Sequence, residues 1–406
     1  MLAIHKNENA KLATGITLIF LCCLLHHCDL TSVFRLHPVL LSKAFSEEYV
    51  QSPQTSEIWV WVTVAGRILG AICIYKIIKL YGFFKSLLFT CLGHAVVSLF
   101  MMMLALAQQS SFSMYYNTLL SVRFLYSFFT PSAFTVSAMY CFQITPSKYH
   151  ALLSVCAALI WPLTGIISRY FAESTTNMSF ATLYLFFFIS ALASLVLYAL
   201  SRLCLKDVYV QNFSQIPTRK TAWSIYLFLF SLGAICSVGT FYPSYVFRMY
   251  ITDVLIISPP LAAYLHWALL LISLPISGFI TNKIGFVKSL SLSLLGLIAV
   301  ASLLWLVPYV TVNIYLCFQV SFVMFFSLFL AQVYFMIYKV ARKIRSIYLP
   351  VIPVVIGFST ATVLGIYVNK LRLPINLPTL STLMLSFMIA ICLIIITRYR
   401  FFNRYR

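Results

Sequence analysis

Three ionisable side chains stand inside long apolar runs: Asp29, Arg67 and Arg123. A charge at the centre of the hydrocarbon costs about 3 kcal/mol on insertion scales, so such residues usually face a bundle interior and have partners there. Asp29 closes the string His26-His27-Cys28-Asp29, and His26 and Asp29, three residues apart, share one helix face. That spacing leaves three readings open: a two-ligand metal site, an interior group that binds a proton or substrate, or a residue near the water interface. Two ligands with no further His or Cys nearby make a poor metal site, and neither a metal nor another cofactor is expected. Arg67 lies ten residues from Glu57 and nine from Lys76, near mid-span, out of snorkelling reach of water. Arg123 lies ten residues in from Ser113. A buried arginine paired with a carboxylate costs far less than one alone. Two guanidiniums and one carboxylate leave positive charge over, which an anionic or zwitterionic ligand would complete. The structural alternative is that the arginines bond backbone carbonyls.

The second half of the chain offers less. Its polar patch is Thr240-Phe241-Tyr242-Pro243-Ser244-Tyr245. Trp61, Trp161, Tyr245 and Trp267 would suffice for an aromatic cage around a quaternary ammonium group, although aromatics in packing or at membrane interfaces are far more common.

The elements that must position these residues follow from composition. The chain is 62% hydrophobic and 9% charged, whereas soluble domains are about half apolar and about a quarter charged. The bilayer is therefore the expected solvent. A span needs ~20 apolar residues, and runs of that kind are read near 14–40, 57–78, 86–107, 113–141, 148–171, 179–201, 222–247, 258–281, 286–307, 312–338, 347–369 and 376–397. The first is read in its longer form, through to Leu41 with Pro38 as a late kink. Pro131 marks an expected kink in the fourth, whose freed backbone carbonyl needs a partner.

The net charge of +20 would suggest nucleic acid if it were clustered, but it alternates with the spans. Twenty of the 28 basic residues fall on one side, among them Lys76, Lys79 and Lys85 in the first such turn, and only six on the other. The positive-inside rule puts the twenty in the cytoplasm, with both termini. The eleven cysteines show no zinc-ribbon or redox spacing and read as packing residues. The basic N-terminus before the first run reads as leading an uncleaved span.

One stretch occurs twice. Gly82-Phe83-Phe84-Lys85-Ser86-Leu87 returns as Gly285-Phe286-Val287-Lys288-Ser289-Leu290, offset by 203 residues, half of 406. Each copy follows an apolar run ending in a basic residue, Lys79 or Lys283, and opens another. In a membrane protein such an echo indicates two parallel repeats with a pathway between them. The expected domains are a six-helix bundle over 1–203, a basic cytoplasmic linker over 204–221 and a second bundle over 222–406.

These features resemble the major facilitator superfamily, and within it the metabolite:proton symporters of the proline/betaine type. Asp29 in His26-His27-Cys28-Asp29-Leu30 sits where that family has the Asp of its first-span box. Arg67-Ile68-Leu69-Gly70 resembles its second-span R-P-x-G, and Arg123 falls at the basic position of its fourth-span box. Gly278-Phe279-Ile280-Thr281-Asn282-Lys283-Ile284-Gly285 resembles the superfamily's gating-loop motif, and Lys79-Leu80-Tyr81-Gly82 its second part. Thr145-Pro146-Ser147-Lys148 and Tyr242-Pro243-Ser244-Tyr245 resemble the S-P-x-R and M-P-S-Y segments. The chain departs from the pattern at its acids: the loop Asp is Lys79 or Asn282, the family's fourth-span Gly-Gly-Glu-Tyr box reads Pro131-Ser132-Ala133-Phe134, and the Glu before Ser-Pro is Gln143. Within the spans only Asp29, Glu57 and the histidines remain titratable.

The resemblance implies an all-α transporter of twelve transmembrane helices with a site near midplane between the halves. It implies alternating access, symport of a small osmolyte or carboxylate metabolite with protons, and no nucleic-acid partner. Asp29 and His26 would be the coupling groups, with Arg67, Arg123 and Tyr245 facing substrate. Lys79, Gly82, Gly278, Asn282, Lys283 and Gly285 would form the gating loops. An uncoupled facilitator or exchanger, and a non-transporting protein of the same fold, are the rival readings; no nucleophile–base pair supports an enzyme. Heavy Phe, Ile, Tyr and Lys usage is what AT-rich coding gives, and points to a bacterial inner membrane. No sequence feature fixes an oligomeric state.

Overall fold

The computed structural model describes residues 2–44, 53–106, 112–131, 135–174, 179–206, 219–254, 259–303, 312–344, 350–370, 389 and 391–393. The helices are α1 Leu2–Ala44, α2 Pro53–Tyr81, α3 Phe83–Leu106, α4 Phe112–Pro131, α5 Ser137–Ile144, α6 His150–Ser174 and α7 Phe180–Cys204. They continue with α8 Arg219–Val254, α9 Pro259–Ile284, α10 Phe286–Leu303, α11 Val312–Lys343 and α12 Val351–Lys370. Among the described residues, nine helices are long and apolar enough to cross a membrane. Eleven of the twelve runs fall on helices, nine of them these spans; the last run, 376–397, lies outside the described residues except at 389 and 391–393.

The helix ends obey local chemistry. Ser179 caps α7 by accepting from the Thr182 amide. In the fourth run α4 reaches Pro131; residues 132–134 lie outside the described residues, and a π-helical turn at 135–136 leads into α5. α1 is helical through Pro38 to Ala44, past Leu41 as its long form requires.

The chain forms two compact units, Met1–Gln143 with Leu163–Asn212, and Ile144–Pro162 with Phe213–Arg406. In the first, α1 packs on α7 and α4, α3 on α7, and α2 on α4. In the second, α8 packs on α12, α9 on α11, and α10 on α11. The pairing of second span with fourth therefore recurs as that of eighth with tenth. Glycine permits the closest approaches. A side chain at Gly66 or Gly70 of α2 would strike the α4 backbone at Phe124 or Phe128. Gly233 of α8 and Gly357 of α12 meet each other's helix, at Val354 and Phe230, in the same way. Small residues four apart let apolar helices approach where lipid offers no hydrophobic drive. Leu92, Phe100, Ile272 and Phe279 are largely exposed, an apolar surface that water would not tolerate but lipid does.

The repeated stretch forms two equivalent turns. Gly82 and Gly285 have φ of 82° and 87°, and each donates its N–H to the carbonyl four residues back, Ile78 or Thr281. A left-handed residue at the helix end, nearly always glycine, closes a helix this way. The next residue anchors the turn: Phe83 stacks on Tyr140 at 4.1 Å, and Phe286 on Phe335 at 3.6 Å. Ser86 and Ser289 are fully buried, while Lys85 and Lys288 face outward.

Candidate functional site

The residues singled out in α1, α2 and α4 all fall in the first unit. Arg123 is half-buried on α4. Its Nε–H is shared between the Thr63 hydroxyl at 2.5 Å and the Trp59 carbonyl at 3.2 Å, both on α2. Its guanidinium carbon lies 4.6 Å from the centre of the Trp59 ring. Thr63 in turn donates to the Trp59 carbonyl at 2.7 Å. The arginine thus bonds backbone and stacks on an aromatic face, a planar cation's preferred setting. Arg67, also half-buried, is one helical turn beyond Thr63, close enough for its charge to act on both Arg123 and His27.

Asp29 is 2% exposed. It is in hydrogen-bonding reach of Ser190 on α7, and its Oδ2 is buried with no partner. It forms an ion pair with neither arginine: among the described residues the pair found is Arg169 with Glu173, at 2.9 Å and near the end of α6. The three charges are therefore gathered into one unit but sorted into two places. The arginines line the α2–α4 contact. The acid sits among α1, α4 and α7.

Around Asp29 lies a polar cluster that the sequence reading did not anticipate. His26 is fully buried and meets His94 of α3 edge to face at 4.6 Å. His94, also fully buried, meets Tyr126 of α4 at 4.5 Å. Tyr126 is hydrogen-bonded to Ser98 and lies in electrostatic range of Asp29. One turn back along the same face of α1, Cys22 donates to the Ser194 carbonyl at 3.2 Å, and Cys23 and Ser137 both meet the Tyr198 hydroxyl, at 3.5 and 3.0 Å. The one sequence signal for His94 was a ring nitrogen pair in the otherwise apolar 86–107 run. Among the described residues no group of three or more His, Cys, Asp or Glu is placed to hold a metal ion.

In the second unit, Lys283 and Asn282 are exposed at the end of α9, as Lys79 is on α2. Gly278 lies against Val155, whose methyl group a side chain there would strike. Thr281, Ser289 and Gln332 form a hydrogen-bonded chain across α9, α10 and α11, at 2.9 and 2.7 Å. Trp161 donates its indole N–H to Tyr334 at 2.7 Å, and Trp267 packs edge to face on the buried His266. Tyr245 belongs to α8, but its side chain lies outside the described residues.

No protein-family model matches the sequence, and no curated protein matches it either. Solved structures do match. A bacterial homologue of the iron transporter ferroportin, in the outward-facing state, superposes with a TM-score of 0.74 at 12% identity, over 95% of this chain and 98% of the other. The proton:xylose symporter XylE, bound to 6-bromo-6-deoxy-D-glucose, gives 0.69 at 14% identity, over 98% and 96%. The major facilitator superfamily transporter FucP, in its outward conformation, gives 0.67 at 13% identity, over 95% and 99%. The chain has the major facilitator fold. Its apolar helices make it a multi-pass membrane protein. At these identities the likeness speaks to the fold alone.

Proposed function

We propose that the chain is a secondary active transporter that moves a small, carboxylate-bearing metabolite or osmolyte by alternating access, coupled to protons. One observation carries this reading: an acid, Asp29, is buried with two histidines inside a unit of a major facilitator fold. Ionisable groups at membrane depth are costly and are kept for substrate or ion pathways. Two like charges, Arg67 and Arg123, are held within electrostatic range on adjoining helices. That favours a ligand carrying negative charge, of the proline, betaine or dicarboxylate kind, over the neutral sugar of XylE or the iron of the ferroportin homologue. Asp29 and His26 serve coupling; Arg67, Arg123 and Tyr245 serve substrate; the turns around Lys79–Gly82 and Gly278–Gly285 serve gating. The bundles span 1–203 and 222–406, joined by 204–221, in a bacterial inner membrane with both termini in the cytoplasm.

The missing acids at Lys79, Asn282 and Gln143 favour a second reading, an uncoupled facilitator or exchanger of the same fold. Purified protein in liposomes, offered labelled proline, betaine and dicarboxylates with and without an inward proton gradient, separates the two. Uptake of one class driven by the gradient is expected. Uptake that ignores the gradient selects the facilitator, and binding without flux selects a protein that kept the fold and lost the cycle.

A further inference from the structure

All four ring nitrogens of His26 and His94 are buried, and none has a hydrogen-bond partner among the described residues. Buried polar atoms are almost always paired, and each exception calls for a cause. These exceptions are concentrated. The two rings touch at 4.6 Å across α1 and α3. Asp29, on the same face of α1 as His26, adds a fifth unpartnered atom, Oδ2. Tyr126 joins the two places, in ring contact with His94 and in electrostatic range of Asp29.

Two imidazoles in contact can share one added proton but not hold two. A single proton between facing nitrogens makes a charge-assisted hydrogen bond, stronger than a neutral one. A second proton would set like charges against each other in a low-dielectric site. The terminal torsion of histidine is soft, so modest ring rotation turns the edge-to-face contact into a nitrogen-to-nitrogen one. A carboxylate on the same helix face offsets the charge that results.

We propose that His26 and His94 form a one-proton site with Asp29 as its counter-ion. The proton comes from hydronium, binds a ring-nitrogen lone pair and leaves from it; no other bond forms or breaks. The titratable neighbours of the pair are His27 and Asp29 of α1 and Tyr126 of α4, with Arg67 of α2 acting on His27; beyond them Tyr184 of α7 acts on Tyr126, and Tyr198 of α7 on Cys91 of α3. Asp29 is the carboxyl group among them. The assignment deepens the transporter reading by naming His94 as part of the coupling group, but the proton site itself is testable without flux.

The test is nitrogen-15 spectroscopy of histidine-labelled protein in detergent, titrated from roughly pH 9 to roughly pH 4. His26→Phe and His94→Phe assign the signals among the seven histidines; both keep an aromatic ring in the contact and remove its nitrogens. In the unsubstituted protein the two rings should move together in one step, taking up one proton between them. In either Phe variant the remaining histidine should titrate at least about one pH unit lower, tenfold weaker in proton affinity, and Asp29→Asn should lower the shared step likewise. Two independent protonations, a partner substitution without effect, or no protonation across the range would each overturn the proposal. So would a zinc titration that shifts both rings and is lost in His94→Phe, which would make the occupant a metal ion. Uptake that ignores a proton gradient while the pair still titrates as one would end the coupling reading and leave the proton site standing.

Discussion

Arg123 and Thr63 are joined by a 2.5 Å hydrogen bond that ties α4 to α2 at mid-span, with the Trp59 carbonyl sharing the same donor. The bond assigns Arg123 a structural duty alongside any ligand it meets. Thr63→Val keeps the shape and removes the acceptor. Hydrogen bonds to charged groups contribute about 1.5–3 kcal/mol, so this variant should melt at a clearly lower temperature in detergent, and Thr63→Ser should not. Equal melting of the two variants would show that the bond fastens nothing.

Arg123→Ala separates fastening from transport. Its expected effect is a far larger fall in uptake than in the amount of protein reaching the membrane. Arg123→Lys should recover little, because an ammonium neither stacks on Trp59 as a planar cation does nor presents a rigid fork. Matched losses of uptake and expression would reduce Arg123 to a brace between α2 and α4.

Asp29→Asn tests the charge alone. The amide oxygen still accepts from Ser190, and the volume is nearly unchanged. Substrate exchange across liposomes should persist, while the response of net uptake to a proton gradient should vanish. A variant still driven by the gradient would remove Asp29 from the coupling group.

The glycines divide by mechanism. Gly70→Ala drives a methyl group into the Phe128 carbonyl of α4. That loss should exceed the ~1–3 kcal/mol of ordinary overpacking, since backbone cannot step aside as a side chain does. Gly285→Ala meets nothing within 4 Å and pays only for its positive φ, about 1–2 kcal/mol. Gly285→Asn should recover part of that, and no asparagine should rescue position 70. Thermal unfolding of the four variants orders them.

Much of the architecture was legible because charge and turn chemistry stand out against apolar sequence. Asp29, Arg67 and Arg123 were conspicuous as lone charges, and all three lie within the first unit. The repeated Gly-Phe-x-Lys-Ser-Leu stretch could be read as a repeat, and it forms two matching left-handed turns. His94 was not legible, because a neutral ring in an apolar run looks like packing until its neighbours are known. Those neighbours come from α1 and α4, and no sequence period brings Tyr126 beside a residue of α3. The charge pattern also misled on one point. It suggested that Asp29 would answer the two arginines, whereas Ser190 answers the acid and the Trp59 carbonyl and ring answer Arg123.

The two glycine turns limit how the molecule can change shape. A single residue separates α2 from α3 and α9 from α10, and its amide and carbonyl are both tied to the adjoining helices. Such a joint has no slack to take up displacement. The end of α2 therefore cannot part from the start of α3, nor that of α9 from α10, and any change of angle within either hairpin must pivot at its glycine.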